Sequence, residues 1–256
     1  MHELLGGRRT SRTFMQDQWQ PELYYHVIGK AIPGETLFRD EEDMTYFLRH
    51  VLRFKLYHFL DILVYCLCGN HFHLAVRTRS VAATQAKLRG KPARVRSAAD
   101  EEMLAGTLDF ARYVHRALAG ALSGYVRHYN STYKRSGQLL ILPTLHGLTD
   151  KGAPGELLSR RLCAYVGLNF VKHRIAGVGE KYFGSSLTNP LFKIVDQPAL
   201  LAEFGGQQAY LDFHNNYLRR YGAAMMALDE ADFYAALQPR YFDKARFEWV
   251  EGAWEA

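Results

Sequence analysis

His71 and His73 stand two apart in His71-Phe72-His73-Leu74-Ala75-Val76-Arg77, a run whose alternation reads as a β-strand. Two residues of strand rise about 6.6 Å, and side chains alternate, so both imidazoles leave the same face while Phe72, Leu74 and Val76 leave the other. Two imidazoles on the polar face of a central hairpin strand suit a divalent metal. The same spacing also fits a plain pair of surface histidines. Cys66 and Cys68 lie just upstream, so a Cys/Cys/His/His zinc site is a further alternative. Cys66 shares a face with Val64 in a uniformly apolar run, which favours core packing for that thiol. A histidine-triad hydrolase requires a third alternating histidine, and position 75 is Ala75. Farther along, Tyr165 and Asn169 are four apart, on one face of a helix. Asn169 offers an amide oxygen as a hard ligand. Tyr165 offers a phenol that could attack a metal-polarised phosphodiester, splitting one hard step into two. No Walker loop, Gly-x-Ser-x-Gly elbow or Gly-x-Gly-x-x-Gly turn is present.

The elements that must position these groups are legible in the pattern. Tyr24 to Ile32 is rich in aromatic and β-branched residues and ends at Pro33-Gly34, a strand running into a turn. Asp40 caps a helix whose apolar residues Met44, Phe47, Leu48, Val51 and Leu52 recur at helical spacing. Its acids lead and its bases, Arg49, Arg53 and Lys55, follow, which suits the helix dipole. Leu60 to Leu67 reads as a strand, and Cys68-Gly69-Asn70 turns it into the His71 strand as a β-hairpin. Helices are expected over Leu108 to Tyr129, Glu156 to Leu168 and Ala199 to Tyr221. An edge strand is expected over Leu139 to Leu145, because Pro143 cannot donate to a ladder. The order predicts an α+β fold: a ferredoxin-like antiparallel sheet with helices on one face, an added tyrosine-bearing helix and a C-terminal helical extension. The expected division is an N-terminal segment 1–23, a catalytic-type domain 24–186 and the extension 187–256.

Composition narrows the class. The 256 residues are 48% hydrophobic and 23% charged, an ordinary globular balance. No apolar run approaches the ~18 residues of a membrane span. The first residues, with Arg8, Arg9 and Arg12, lack the apolar core of a signal peptide. Three cysteines point to a reducing cytoplasm. The net charge is +6, yet from Ala227 onward seven acids face three bases, a net −4 that leaves +10 on the residues before it. A basic body of this kind suits a polyanionic partner. Between Arg77 and Arg96 seven bases occur without an acid, which is expected as an exposed, mobile loop within a basic insertion 77–106.

Several blocks together carry a family resemblance. Tyr25-His26-Val27, Leu37-Phe38-Arg39-Asp40 and Tyr65-Cys66-Leu67-Cys68-Gly69-Asn70-His71-Phe72-His73-Leu74 run in the order and spacing of the single-tyrosine HUH transposases. Tyr129-Asn130-x-x-Tyr133-Lys134-Arg135-Ser136-Gly137 resembles that family's Asn-x-x-Tyr-x-Arg-x-Gly stretch. Ala164-Tyr165-Val166-Gly167-Leu168-Asn169-Phe170-Val171-Lys172-His173 resembles its tyrosine helix. The branch most resembled is the REP-associated tyrosine transposases, over roughly Tyr24 to Ser186. The resemblance implies that His71 and His73 hold Mg²⁺ or Mn²⁺ with Asn169 as third ligand. It implies that Tyr165 attacks single-stranded DNA beside a hairpin, leaving a 5′-phosphotyrosine and a free 3′-OH. Arg127, Lys134, Arg135, Lys172 and His173 flank these blocks and are expected to contact phosphates. Related enzymes occur as monomers and as homodimers that exchange the tyrosine helix. Gly69 stands where the family has Pro, Phe170 stands where it has Pro after the Asn, and the Phe-Gln-Gly-Arg-Phe stretch is replaced by Gln138-Leu139-Leu140-Ile141-Leu142-Pro143. These departures leave a second reading open, a domesticated binding module that keeps the fold and the basic surface without the chemistry.

Overall fold

The computed structural model describes residues 19–56, 58–141, 144–148, 155–176, 181–186, 195, 197–210 and 212–213. Strand β1 (Tyr24–Lys30) is followed by helix α1 (Glu41–Tyr46), which passes into π-type turns over Phe47–Leu56. Asp40 caps α1 as the sequence predicts, its carboxylate accepting from the backbone N–H groups of Glu42 and Asp43. Strands β2 (Leu60–Cys68) and β3 (His71–Thr78) form the hairpin, turning on Gly69 and Asn70. Helices α2 (Val81–Arg89), α3 (Ala98–Ala105) and α4 (Phe110–Thr132) precede strand β4 (Thr144–Leu148). Helix α5 (Gly155–Gly167), the short α6 (Asn169–Lys172) and α7 (Gln197–Phe204) complete the described elements. Among the described residues no helix is long and apolar enough to cross a membrane.

The fold is α+β. Its four strands pair antiparallel in the order β2-β3-β1-β4. One face carries Tyr25, Val27, Phe72, Leu74 and Val76 into a core with Phe47, Leu48 and Val51 and the inner face of α4. Tyr125 Oη and Tyr129 Oη tie α4 to the β1–α1 connection, donating to the carbonyls of Leu37 and Thr36 at 2.6 Å. The opposite face carries Ile28, Val64, Cys66, Cys68 and Ala75 against Leu162, Tyr165, Val166 and Phe170 of α5 and α6 and Leu200 of α7. Helices therefore cover both faces, so the histidine face is interior where the sequence pattern suggests a polar surface. A β-bulge between Ile62 and Val64 changes the alternation of β2, which is why Ile62 and Cys66 lie on opposite faces. Gly29 sits opposite Phe72, and a Cβ there would lie 2.2 Å from the Phe72 ring, so glycine lets that ring cross β1.

The outer edge of β2 is covered rather than open. Tyr182 Oη donates to the Leu67 carbonyl, Leu67 N–H donates to Gly184 O, and Ser185 pairs with Cys66. Helix α7 is tied down by Glu203, whose carboxylate accepts from Tyr24 Oη and from Ser159 Oγ at 3.0 Å.

Three expectations need correction. The basic stretch after Arg77 is not a mobile loop but two capped helices. Ser80 caps α2, and Ser97 and Asp100 form a reciprocal capping box on α3. Leu88 and Met103 are buried in the main core, and Lys91, Arg96 and Arg79 pair with Asp100, Glu101 and Asp61. Strand β4 begins at Thr144 rather than Leu139, and Leu140 makes only an isolated bridge to Ala31. The C-terminal helix is described from Gln197 to Phe204, followed by a further helical turn at 207–210. The remainder of the Ala199 to Tyr221 expectation, like most of the segment 1–23, lies outside the described residues.

Candidate metal centre

The hairpin delivers the two histidines as the alternation predicts. His71 and His73 leave β3 on the α5–α6 side, with ring centroids 5.0 Å apart, and both are buried. Each uses one nitrogen on a protein partner. His71 Nδ1 lies 2.7 Å from Asn70 Oδ1, and His73 Nδ1 lies 2.8 Å from His26 Nε2. The other nitrogen of each, Nε2, is buried with no hydrogen-bond partner. A buried polar atom left without a partner is expensive. Fixing Nδ1 on an outer partner while Nε2 points at a shared space is the arrangement of metal-ligating imidazoles.

Helices α5 and α6 close the site from above. Helix α5 ends at Gly167, Leu168 leaves helical geometry, and α6 starts at Asn169, so the tyrosine helix is interrupted although Phe170 lacks the ring constraint of a proline. Phe170 instead stacks on Tyr182 with centroids 5.5 Å apart. Asn169 is buried, and both its Oδ1 and its Nδ2 lack partners. One turn later the exposed His173 follows α6, its ring centroid 4.4 Å from that of His71. His71, His73 and His173 each bring a ring nitrogen within 4.8 Å of the others, a group that could hold a metal ion. Among the described residues this is the cluster of that kind, and the thiols of Cys66 and Cys68 stay outside it. Those thiols are partnered with each other at 3.8 Å, and the contact with Cys66, with His71 beside it, lowers Cys68 to about 6 against the effect of burial.

Tyr165 completes the arrangement within one chain. Its ring meets His26 and His73 edge-on, at centroid separations of 5.7 and 6.2 Å. Lys172 Nζ donates to Tyr165 Oη at 2.9 Å. Burial, with His26, His71, His173 and Lys30 nearby, pushes His73 well below the usual imidazole range, which favours the neutral ring with one lone-pair nitrogen.

The remaining expected site residues lie elsewhere. Arg127 is exposed on α4 and Lys134 is exposed just beyond that helix, with a left-handed φ of 50°. Arg135 is engaged: its guanidinium donates to Glu35 Oε1 at 2.8 Å, to Asn130 Oδ1 at 2.8 Å and to the Gln138 carbonyl at 2.7 Å. Lys172 and His173, expected as phosphate contacts, stand at the tyrosine hydroxyl and beside the histidine pair. His26 was given no role by the sequence, although it shares with Tyr24 and Ile28 the face of β1 that its period of two assigns.

No protein-family model matches the chain, and no curated protein or solved structure matches it either. An antiparallel sheet bearing His-x-His with a third histidine is loosely consistent with the HUH pattern.

Proposed function

We propose that the protein is a metal-dependent single-stranded DNA endonuclease and strand transferase that acts through a covalent 5′-phosphotyrosine on Tyr165. One observation carries the reading: a tyrosine hydroxyl held by a lysine belongs to a ring set edge-on against His73, one of two buried imidazoles whose Nε2 atoms have no protein partner. The strand order β2-β3-β1-β4 supports reading the sheet as a ferredoxin-like one, with α5 as the added tyrosine helix. The donors His71, His73 and Asn169, with His173 beside them, fit a divalent cation, which is Mg²⁺ or Mn²⁺ in the family the sequence resembles. Such a cation, when bound, polarises a phosphoryl oxygen and neutralises charge that develops on it.

The chain's own residues supply the rest. Tyr165 Oη loses its proton and forms a bond to phosphorus, the bond from phosphorus to the 3′ oxygen breaks, and that oxygen takes up one proton in turn and leaves as a 3′-OH, so no net proton is gained or lost. Lys172 stabilises the phenolate that attacks and that departs when the step reverses. A different 3′-OH then attacks the phosphotyrosine and releases Tyr165, so the number of phosphodiester bonds is conserved without an energy-yielding cofactor. The proposed setting is the cytoplasm, with hairpin-bearing DNA as substrate and a monomer whose tyrosine serves its own histidines.

A second reading is favoured by the burial of Tyr165, which is 1% exposed. A tyrosine so covered fits a domesticated nucleic-acid-binding module. Incubation with labelled hairpin-containing single-stranded DNA and Mn²⁺, resolved on a denaturing gel, separates the two. A protease-sensitive shifted band that EDTA and Tyr165→Phe each abolish is the expected result. Chelator-insensitive binding with no such band across many hairpins would establish the binding module.

A further inference from the structure

We infer that His173 makes this a tris-imidazole centre, selective for a late first-row cation such as Zn²⁺ over Mg²⁺. The inference rests on the donor set alone and not on the DNA chemistry proposed above. His71, His73 and His173 present ring nitrogens within 4.8 Å of one another, and no carboxylate belongs to the group. Mg²⁺ demands oxygen ligands in octahedral array and gives up its waters reluctantly, so it depends on anionic carboxylates or phosphates. Nothing in this cluster supplies that charge. A cation that enters must be held by directional nitrogen donation instead, and imidazole affinity rises from Mn²⁺ toward Cu²⁺ and Zn²⁺.

His173 is the residue that changes the preference. Without it the site offers two imidazoles and the Asn169 amide, a mixed set that a hard cation with retained waters can also use. With it, nitrogen donors dominate. Asn169 and His173 are four apart, so the buried amide, whose oxygen has no partner, comes to the same side as the third imidazole. The preceding helix break matters here, because it places His173 at the C-terminal end of α6 over the His71 ring.

The test is a chelator-competition titration of the full chain with Zn²⁺ and with Mg²⁺, in wild type, His173→Ala and Cys66→Ser/Cys68→Ser. One Zn²⁺ per chain is expected, bound at least ~100-fold more tightly than Mg²⁺. His173→Ala is expected to weaken Zn²⁺ at least ~10-fold while leaving Mg²⁺ unchanged, and the serine variant is expected to bind Zn²⁺ as wild type does. Equal affinities for the two cations, Zn²⁺ affinity indifferent to His173, or Zn²⁺ lost in the serine variant would each overturn the inference. Should His173→Ala not fold, the visible spectrum of the Co²⁺-substituted wild type decides. An intense band signifies a low-coordinate nitrogen-rich site, and a faint one, typical of six oxygens, counts against it. Because no reading involves DNA, absent cleavage would count only against the role of Tyr165.

Discussion

His26 Nε2 lies 2.8 Å from His73 Nδ1, so a β1 residue fixes the ring orientation of a β3 histidine. The bond crosses the β1–β3 pairing, in which Ile28 faces His73 and His26 faces Ala75. For His73 to offer a lone pair at Nε2, its Nδ1 must carry the proton and His26 must accept it. His26 is fully buried and cannot hand this task to water. His26→Ala should therefore weaken metal binding by ~10–100-fold without unfolding the sheet. His26→Gln, which restores an acceptor, should recover part of the loss. Competition titrations paired with far-ultraviolet circular dichroism check both variants, and wild-type affinity in His26→Ala would remove the positioning role.

The hairpin, the α1 cap and the α4 face were legible because each rests on a local signal: alternation, an Asp ahead of a helical run, apolar residues at helical spacing. His71 and His73 share a face for the same reason. Other parts depend on contacts that no local pattern contains. The β2 bulge decides which face Cys66 takes, and α5 to α7 bury the histidine face by packing from far along the chain. The place of His173 beside His71 depends on the break at Leu168, which no local pattern announces. The helices after Arg77 did leave a trace in the sequence. Ser97 followed three residues later by Asp100 is a variant of the capping box, a local signal that stands beside the run of basic charge.

Lys172 contacts the atom that would react. Its Nζ is 2.9 Å from Tyr165 Oη and 4.8 Å from the ring centroid. If the phenolate is the attacking species, an ammonium at that distance lowers the barrier in both directions. Lys172→Met should slow formation of the covalent DNA adduct by ~100-fold, the size typical of a lost charge-stabilising donor. Lys172→Arg should retain more activity. Equilibrium DNA affinity should change little, because a single phosphate contact is not the residue's main task. Single-turnover rates set beside filter-binding constants make the distinction. A loss confined to binding would return Lys172 to the role of a phosphate contact.

Asp100 ties α3 to the basic stretch ahead of it, and its effect has a defined pH window. Its carboxylate accepts from Lys91 Nζ at 2.8 Å, from Ser97 N–H at 2.8 Å and from Tyr113 Oη at 3.1 Å. Burial raises its pKa, but these three partners outweigh burial and hold it below the ordinary 3.8. A carboxylate depressed in the folded state stabilises above the unfolded value and loses that contribution as pH falls through the folded one. Asp100→Ala should cost about 2 kcal/mol at neutral pH, from the lost cap and the stranded partners. The gap between wild type and variant in urea melts should narrow below pH 3.8. A gap independent of pH would mean that packing, not the ion, is what the substitution removes.

Arg135 belongs to the scaffold. Its guanidinium joins Glu35, Asn130 and the Gln138 carbonyl, and its side chain is 14% exposed. These bonds lock the chain after α4 against the β1–α1 connection, so few donors are left to face a phosphate. Arg135→Ala should destabilise the fold by about 2 kcal/mol, the cost of stranding a half-buried carboxylate and a carbonyl. It should leave the salt dependence of DNA binding nearly unchanged. Arg127→Ala and Lys134→Ala remove exposed cations, and each should lower the magnitude of the salt slope by ~1 with little change in melting temperature. Salt titrations of hairpin binding, set beside thermal melts of the three variants, test the division. If Arg135→Ala flattens the salt slope and leaves the melt alone, its bonds to Glu35 and Asn130 yield to DNA when the complex forms.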